Sequence, residues 1–177
     1  MENSPRYIVG IDLGTTHCAC YFFDQNLDYK KIPIQRFSFK QYHSEERVKD
    51  LPLLPSFIYL LDESDEKRFV QKLPWEDPGK KSQVIGYYAQ EHGHKRPSQW
   101  IRSAKSWLVH GGVNRKEALL PIEGEGKKLS PLDASFYYLD YIKRAWNHQF
   151  RQDGEFLEQQ DVIITVPASF DEVARTL

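Results

Sequence analysis

The sequence predicts an α/β fold in which helices pack against a mixed sheet. Two apolar runs of strand length, residues 7–13 near the start and 161–166 near the end, predict buried strands. A long segment from Ser130 to about Phe150 repeats apolar residues at helical spacing and predicts an amphipathic helix. Strands on both sides of long helical segments are typical of an α/β architecture.

The first strand continues into a predicted β-hairpin. Gly14, Thr15 and Thr16 form the turn, and the small and aromatic residues 18–23 predict a returning strand. A further turn is expected at residues 123–126, where glycine alternates with glutamate. Four more short strands are predicted at residues 31–39, 56–61, 68–72 and 83–86.

Two helices are predicted in the second half of the chain. The first begins at the candidate N-cap Ser98 and ends at Gly111 and Gly112. The second begins with Ser130 and Pro131, a cap residue and a residue favoured at the first helical position. Their apolar stripes are Trp100, Ile101, Ala104, Trp107 and Leu108 in the first helix, and Leu132, Phe136, Leu139, Trp146 and Phe150 in the second.

The sequence ends soon after the last predicted strand. Pro167 follows that strand, and Ser169 begins a helix that is cut after about two turns, at Leu177. We therefore expect residues 161–166 to expose an apolar face, and the chain to be marginally stable or to self-associate.

The composition is that of a folded protein with no strong overall charge. Of the 177 residues, 40% are hydrophobic, and 24 basic residues nearly balance 25 acidic ones. A net charge of −1 favours neither nucleic acid nor an anionic membrane surface as a partner. No apolar run is long enough to span a bilayer, and the first residues lack the apolar region of a secretory signal.

The cysteines and histidines do not indicate a disulfide or a metal site. Cys18 and Cys20 lie two residues apart in a predicted strand, too close for a sound disulfide. We interpret them as small core residues with reduced thiols, which fits a cytoplasmic protein. His92 and His94 flank a glycine without a third ligand nearby, so a solvated loop is favoured over a metal site.

The first hairpin carries the clearest candidate for a phosphate site. Gly10 and Gly14 allow the backbone to come close to a bulky anion, and amides in the turn can point at phosphate oxygens. Thr15 and Thr16 add hydroxyl donors, and Asp12 is suited to hold Mg²⁺ through water molecules. A plain hairpin with a glycine-containing turn is the alternative interpretation of the same residues.

Two runs of residues resemble motifs of a known ATPase superfamily. The run Val9-Gly10-Ile11-Asp12-Leu13-Gly14-Thr15-Thr16 resembles the first phosphate-binding motif shared by actin, sugar kinases and heat-shock ATPases. The run Val162-Ile163-Ile164-Thr165-Val166-Pro167-Ala168-Ser169-Phe170-Asp171 resembles a signature of the 70-kilodalton heat-shock chaperones. The resemblance implies an actin-like, ribonuclease-H-like lobe with an inserted α+β subdomain. The phosphate-hairpin subdomain would be residues 1–39 and 131–177, and the insertion residues 40–130.

Weaker matches to the chaperone family lie between these runs in the same order. Lys105, within Ser103-Ala104-Lys105-Ser106-Trp107-Leu108, takes the place of the family's catalytic lysine. Leu54-Pro55-Ser56 resembles its Thr-Pro-Ser strand. Pro167 and Arg175 match a pair that relays between nucleotide and client sites in that family. Two residues depart from the pattern, since His17 stands where Asn or Tyr is usual and Ser169 where Tyr is common.

The resemblance implies an ATPase that binds ATP with Mg²⁺ and K⁺ and releases ADP. The implied catalytic residues are Lys105 and Asp12, and Asp12 would also hold the metal. The implied nucleotide contacts are Gly10, Asp12, Gly14, Thr15, Thr16 and His17. Because the second phosphate loop and the adenosine site lie outside the sequence, we expect these 177 residues alone to be inactive and to bind ATP weakly.

The implied partners belong to the chaperone cycle. Hydrolysis would switch a separate peptide-binding domain, with a J-domain co-chaperone, a nucleotide-exchange factor and unfolded client peptides as partners. An actin-like filament protein and a sugar or acetate kinase share the first motif and stay open as alternatives, as does a scaffold with weak ATPase activity. Lys105 and the run from Thr165 to Phe170 favour the chaperone.

Overall fold

The described residues form a mixed α/β fold with three sheets. The computed structural model describes residues 4–28, 30, 33–76, 81–110 and 112–166. The strands in these residues are β1 (Tyr7–Leu13), β2 (His17–Asp24), β3 (Gln35–Arg36), β4 (Phe39–Ser44), β5 (Arg47–Leu51), β6 (Leu54–Pro55), β7 (Phe57–Leu60), β8 (Gln83–Ile85), β9 (Trp100–Arg102) and β10 (Asp161–Thr165). The α-helices are α1 (Glu63–Glu66), α2 (Tyr87–His92), α3 (Ala104–Leu108) and α4 (Pro131–Gln149).

The largest sheet is built around the β1–β2 hairpin. β2 returns antiparallel to β1 with Leu13 opposite Cys18, and β10 runs parallel to β1 on its other side. β3 and β6 both pair with β2. In the two smaller sheets, β4 pairs with β5, and β7 lies between β8 and β9. The predicted hairpin and the predicted strand near the end of the chain are therefore confirmed.

α4 begins as the sequence predicts. The Ser130 hydroxyl accepts a hydrogen bond from the Asp133 backbone N–H at 3.0 Å, and the Asp133 carboxylate accepts one from the Ser130 backbone N–H. Pro131 occupies the first turn, where its missing N–H costs no hydrogen bond. This reciprocal capping satisfies two donors that a helix start otherwise leaves without partners.

The buried face of α4 differs from the predicted stripe. Of the predicted stripe, Trp146 is fully buried and Leu139 and Phe150 pack partly buried against the core, whereas Phe136 is 60% exposed. The buried apolar residues of the helix include Ala134, Tyr138, Tyr141, Ile142, Ala145 and Trp146. The Trp146 ring lies 5.3–5.6 Å from the rings of Tyr7, Phe22 and Phe37, so it joins the helix to the main sheet.

Two predicted strands are shorter than expected or absent. Among the described residues 33–39, Gln35–Arg36 pairs with β2, Phe39 begins β4, and Ile34 is exposed. Residues 68–72 are wrongly predicted, since they form no strand. Phe69 is buried instead by side-chain packing, with its ring about 5 Å from the rings of Tyr42 and Tyr88.

The helix predicted from Ser98 is also wrong over its first half. Trp100–Arg102 forms β9, because these residues pair with Phe57–Tyr59 on β7. Ser103 then has a left-handed backbone with φ of 54°, which breaks the chain direction between strand and helix. α3 therefore covers only Ala104–Leu108.

β10 is a strand, but the prediction that it is buried is wrong. Val162, Ile163 and Ile164 are 38%, 59% and 45% exposed. The physical reason is its place at one end of the strand order, next to β1 alone among the described strands. The expected exposed apolar face is therefore confirmed.

Both smaller sheets, β4–β5 and β8–β7–β9, lie almost entirely within residues 40–130, the predicted insertion. The predicted turn at residues 123–126 is confirmed, since Leu120 and Leu129 form an antiparallel bridge around it and Gly124 has a φ of 83°. The division into a hairpin subdomain and an inserted subdomain stays a prediction. Among the residues described, no helix is both long and apolar enough to cross a membrane.

Candidate functional site

The tip of the β1–β2 hairpin presents the predicted phosphate residues to solvent. Thr15 and Thr16 are exposed and His17 is half-buried at the start of β2, opposite Pro55. Gly14 is required sterically, because a Cβ there would lie 2.0 Å from the His17 carbonyl oxygen. Only a residue without a side chain allows this tight turn.

Gly10 is not required in the same way. A Cβ added to Gly10 would meet its nearest neighbour, the Tyr21 carbonyl oxygen, at 3.9 Å, an ordinary contact distance. Any need for glycine at this position would therefore come from a ligand above the sheet and not from the packing of the chain itself.

Asp12 lies exposed near the end of β1, next to the end of β10. The parallel register places Thr165 directly beside it, and the Thr165 hydroxyl donates a hydrogen bond to Asp12 Oδ1 at 2.9 Å. This bond restricts the rotation of the carboxylate and holds it at the hairpin tip. Thr165 was not predicted as a site residue, because its contribution depends on a strand register that one sequence does not specify.

Lys105 lies on α3 and is buried, with 4% of its surface exposed. Burial lowers the pKa of Lys105, and the negative charges of Asp12 and of an ionised Cys18 oppose that shift. Lys105 and Asp12, which lie far apart in the sequence, are therefore near enough in the fold for the carboxylate charge to affect the pKa of the lysine. A nearby opposite charge favours the charged form of a buried lysine.

Cys18 and Ser56 are buried next to the turn at the hairpin tip. Cys18 Sγ lies 3.5 Å from Ser56 Oγ. Burial raises the pKa of Cys18, while the hydrogen bond to Ser56 and the charge of Lys105 partly offset that increase. Both cysteines are free thiols in the core, as the sequence predicts.

Ser56 also bonds directly to the turn. Its hydroxyl donates to the Gly14 carbonyl oxygen at 2.8 Å, and its backbone N–H donates to the Thr16 carbonyl oxygen at 2.8 Å. The sequence placed Ser56 in a strand but gave it no role at the site. The missing information was the pairing of β6 with β2, which brings Ser56 beneath the turn.

Tyr138 adds a buried polar group close to Cys18. It is 1% exposed, and burial raises its pKa, with a smaller contribution from the charge of an ionised Cys18. Its hydroxyl has no hydrogen-bond partner among the residues that the structure describes. Such a group is usually bonded to an ordered water in proteins.

Two predicted site residues fall outside this geometry. Pro167 and Arg175, the predicted relay pair, lie outside the described residues. In the part of the chain that is described, no group of three or more His, Cys, Asp or Glu residues could hold a metal ion. His92 instead packs its ring 4.4 Å from the ring of Tyr88.

Comparison of the chain with models of known protein families gives no match, and comparison with individual curated proteins gives none either.

Proposed function

We propose that this chain is the first lobe of an ATP-binding domain of the actin-like ATPase architecture, in an ATPase of the 70-kilodalton heat-shock chaperone type. The observation that carries the proposal is the exposed Asp12 carboxylate beside the glycine turn, which accepts a hydrogen bond from Thr165 at 2.9 Å and whose charge favours the charged form of the buried Lys105. A carboxylate, a lysine and a glycine turn with two exposed threonines form a donor set that suits a magnesium-bound polyphosphate.

The donor set fits Mg²⁺ bound mainly by phosphate and water. Magnesium is commonly held by one or two carboxylates together with substrate phosphates, and not by a cage of protein ligands. Asp12 supplies one exposed carboxylate, and the described residues contain no acidic or histidine cluster around it. Bound Mg²⁺ would neutralise charge on the phosphates, while Thr15 and Thr16 would donate hydroxyl protons to them.

Lys105 would act on the reacting phosphate. Its buried ammonium group is surrounded by little water, so its electrostatic effect on a developing negative charge is stronger than that of a solvated lysine. Asp12 supports the charged form of Lys105 despite burial. In these roles Asp12 would hold the metal and Lys105 would act on the phosphoryl group. The two residues together favour a site for phosphate hydrolysis over a hairpin with a purely structural role.

The remaining parts of the proposal concern the full-length protein. There, hydrolysis of ATP to ADP, assisted by K⁺, would control the binding of unfolded clients by a separate domain. A J-domain co-chaperone and a nucleotide-exchange factor would act on the same cycle in the cytoplasm. In that protein, Lys105→Ala is expected to lower the hydrolysis rate much more than the affinity for ATP, since the lysine acts mainly on the transition state.

The direct test uses the 177-residue chain. We expect weak binding of MgATP, detected as changes in the backbone amide NMR signals of residues 14–17, and loss of these changes in Asp12→Asn. Asp50→Asn is the matched control, because Asp50 is an exposed strand carboxylate on β5 that pairs with Lys40 at 3.0 Å. Equal responses in Asp12→Asn and Asp50→Asn, or no magnesium-dependent response in the unmodified chain, would refute the proposed site.

A further inference from the structure

Ser56 bonds to the hairpin tip through two of its groups. The residue is 2% exposed, and both groups bond to carbonyl oxygens of the turn. Its hydroxyl donates to the Gly14 oxygen and its backbone N–H to the Thr16 oxygen, each at 2.8 Å. Two alternate carbonyls of the tip therefore point inward, towards Ser56.

The planarity of the peptide bond fixes where the intervening amides point. In a trans peptide unit, the C=O and the following N–H point in opposite directions. Because the Gly14 oxygen faces Ser56, the Thr15 N–H is directed away from it, and the same argument applies to the Thr16 oxygen and the His17 N–H. Backbone amides that point to the same side of a turn can bind one anion together.

We propose that Ser56 is a positioning residue for phosphate binding, which orients the Thr15 and His17 amides towards the anion without touching it. This inference rests on the proposed function of the hairpin as a phosphate site. It assigns a role to a residue that belongs to the segment between β6 and β7 and not to the phosphate hairpin itself.

The chemistry of the neighbouring thiol supports this role. A serine hydroxyl has one proton to donate, and here the proton is used for the Gly14 oxygen. The Cys18 thiol, 3.5 Å away, can then donate to Ser56 Oγ, and its raised pKa keeps the thiol protonated at neutral pH. A chain of donors of this kind strengthens each bond in it.

The test separates a positioning role from ordinary packing. Ser56→Ala removes the hydroxyl bond to the turn, whereas Ser56→Thr keeps a hydroxyl. Ser135→Ala is the matched control, because Ser135 is also buried and its hydroxyl also donates to a backbone carbonyl, that of Pro131, at 2.9 Å. The probe is MgATP, and the measurement is the change in the amide NMR signals of Thr15 and His17 with concentration.

We expect Ser56→Ala to keep the dispersed amide spectrum of the folded chain and to bind MgATP about tenfold more weakly, which corresponds to about the net contribution of one hydrogen bond. Ser56→Thr should recover most of the affinity, and Ser135→Ala should bind as the unmodified chain does. Unchanged binding by Ser56→Ala, or a Ser56→Ala chain that does not fold, would overturn the positioning role alone. An unmodified chain with no response at these amides would overturn the proposed function as well.

Discussion

Substitutions at Gly10 in β1 and at Gly14 in the turn test whether glycine is needed there for the packing of the chain or for binding a ligand. In Gly14→Ala, the new Cβ would lie 2.0 Å from the His17 carbonyl oxygen, whereas ordinary contacts begin at 3.4 Å. One of the two groups must therefore move by more than an ångström. In Gly10→Ala, the nearest atom would be 3.9 Å away, so nothing has to move.

The two substitutions are expected to change the free energy of unfolding in opposite directions. Overpacking of this kind costs about 1–3 kcal/mol, and displacing the Gly14 carbonyl also weakens its bond from Ser56, worth about 1 kcal/mol. We expect Gly14→Ala to lower the free energy of unfolding by about 3 kcal/mol. Gly10→Ala should raise it by about 0.5 kcal/mol, because glycine within a strand is less favourable than alanine.

Urea unfolding followed by tryptophan fluorescence measures both effects. The chain has 4 tryptophans, and Trp146 lies fully buried in the core, so its emission should report on unfolding. With a urea dependence of about 1–3 kcal/mol per molar, a loss of about 3 kcal/mol lowers the unfolding midpoint by about 1–3 M. If Gly14→Ala unfolds at the midpoint of the unmodified chain, or if Gly10→Ala is destabilised as much, the steric assignment of the turn is wrong.

Three further predictions concern stability. Ser130→Ala should lower the free energy of unfolding by about 1 kcal/mol in urea melts, because it removes the cap of α4. Burial raises the pKa of Cys20 to about 12, so the folded state keeps a proton that the unfolded state loses above its pKa of 9.0. This stabilisation is present below pH 9 and is lost as the pH rises towards 12, and Cys20→Ala should reduce the loss between pH 9 and 11 in urea titrations. Burial lowers the pKa of Lys81 from 10.5 to about 8, so the unfolded state binds more protons between these values and the lysine's contribution to stability rises with pH there. The free energy of unfolding of Lys81→Met, relative to that of the unmodified chain, should therefore be higher at pH 7 than at pH 9.5 in urea titrations. The same difference at both pH values would contradict the lowered pKa of Lys81.

The elements that the sequence predicts correctly have strong local signals. The β1–β2 hairpin has alternating burial and a glycine turn, and α4 has a complete capping box. Both signals come from residues close together in the chain, so no distant contact is needed to decide between strand and helix.

The elements predicted wrongly depend on distant partners. The spacing of Trp100, Ile101 and Ala104 suits a helix, but pairing with β7 makes the first two part of a strand. Nothing local marks Ser103 for a left-handed backbone, a conformation that few residues other than glycine adopt. In the same way, Phe69 is buried by rings from other segments and not by a strand of its own.

The residues of the candidate site also differ in whether a local motif or a distant contact identifies them. Asp12, Gly14 and the threonines come from one local motif, which the sequence alone identifies. Lys105 was predicted through a family resemblance, and the charge of Asp12 partly offsets the lowering of its pKa by burial. Thr165 and Ser56 were missed, because their places depend on strand pairings between distant parts of the chain.

The two charged residues of the candidate site, Asp12 and Lys105, are attached to different sheets. Asp12 belongs to β1 in the largest sheet, whereas Lys105 follows β9 of the three-stranded sheet through the bend at Ser103. A small rotation of one sheet against the other therefore changes the separation of the charges. At an effective dielectric constant of about 20, two unit charges attract by about 4 kcal/mol at 4 Å and about 2 kcal/mol at 8 Å. Opening the site by a few ångströms thus weakens the attraction by an amount that changes an equilibrium constant by about thirtyfold. The relative position of the two sheets therefore determines how strongly the Asp12 charge affects the buried lysine.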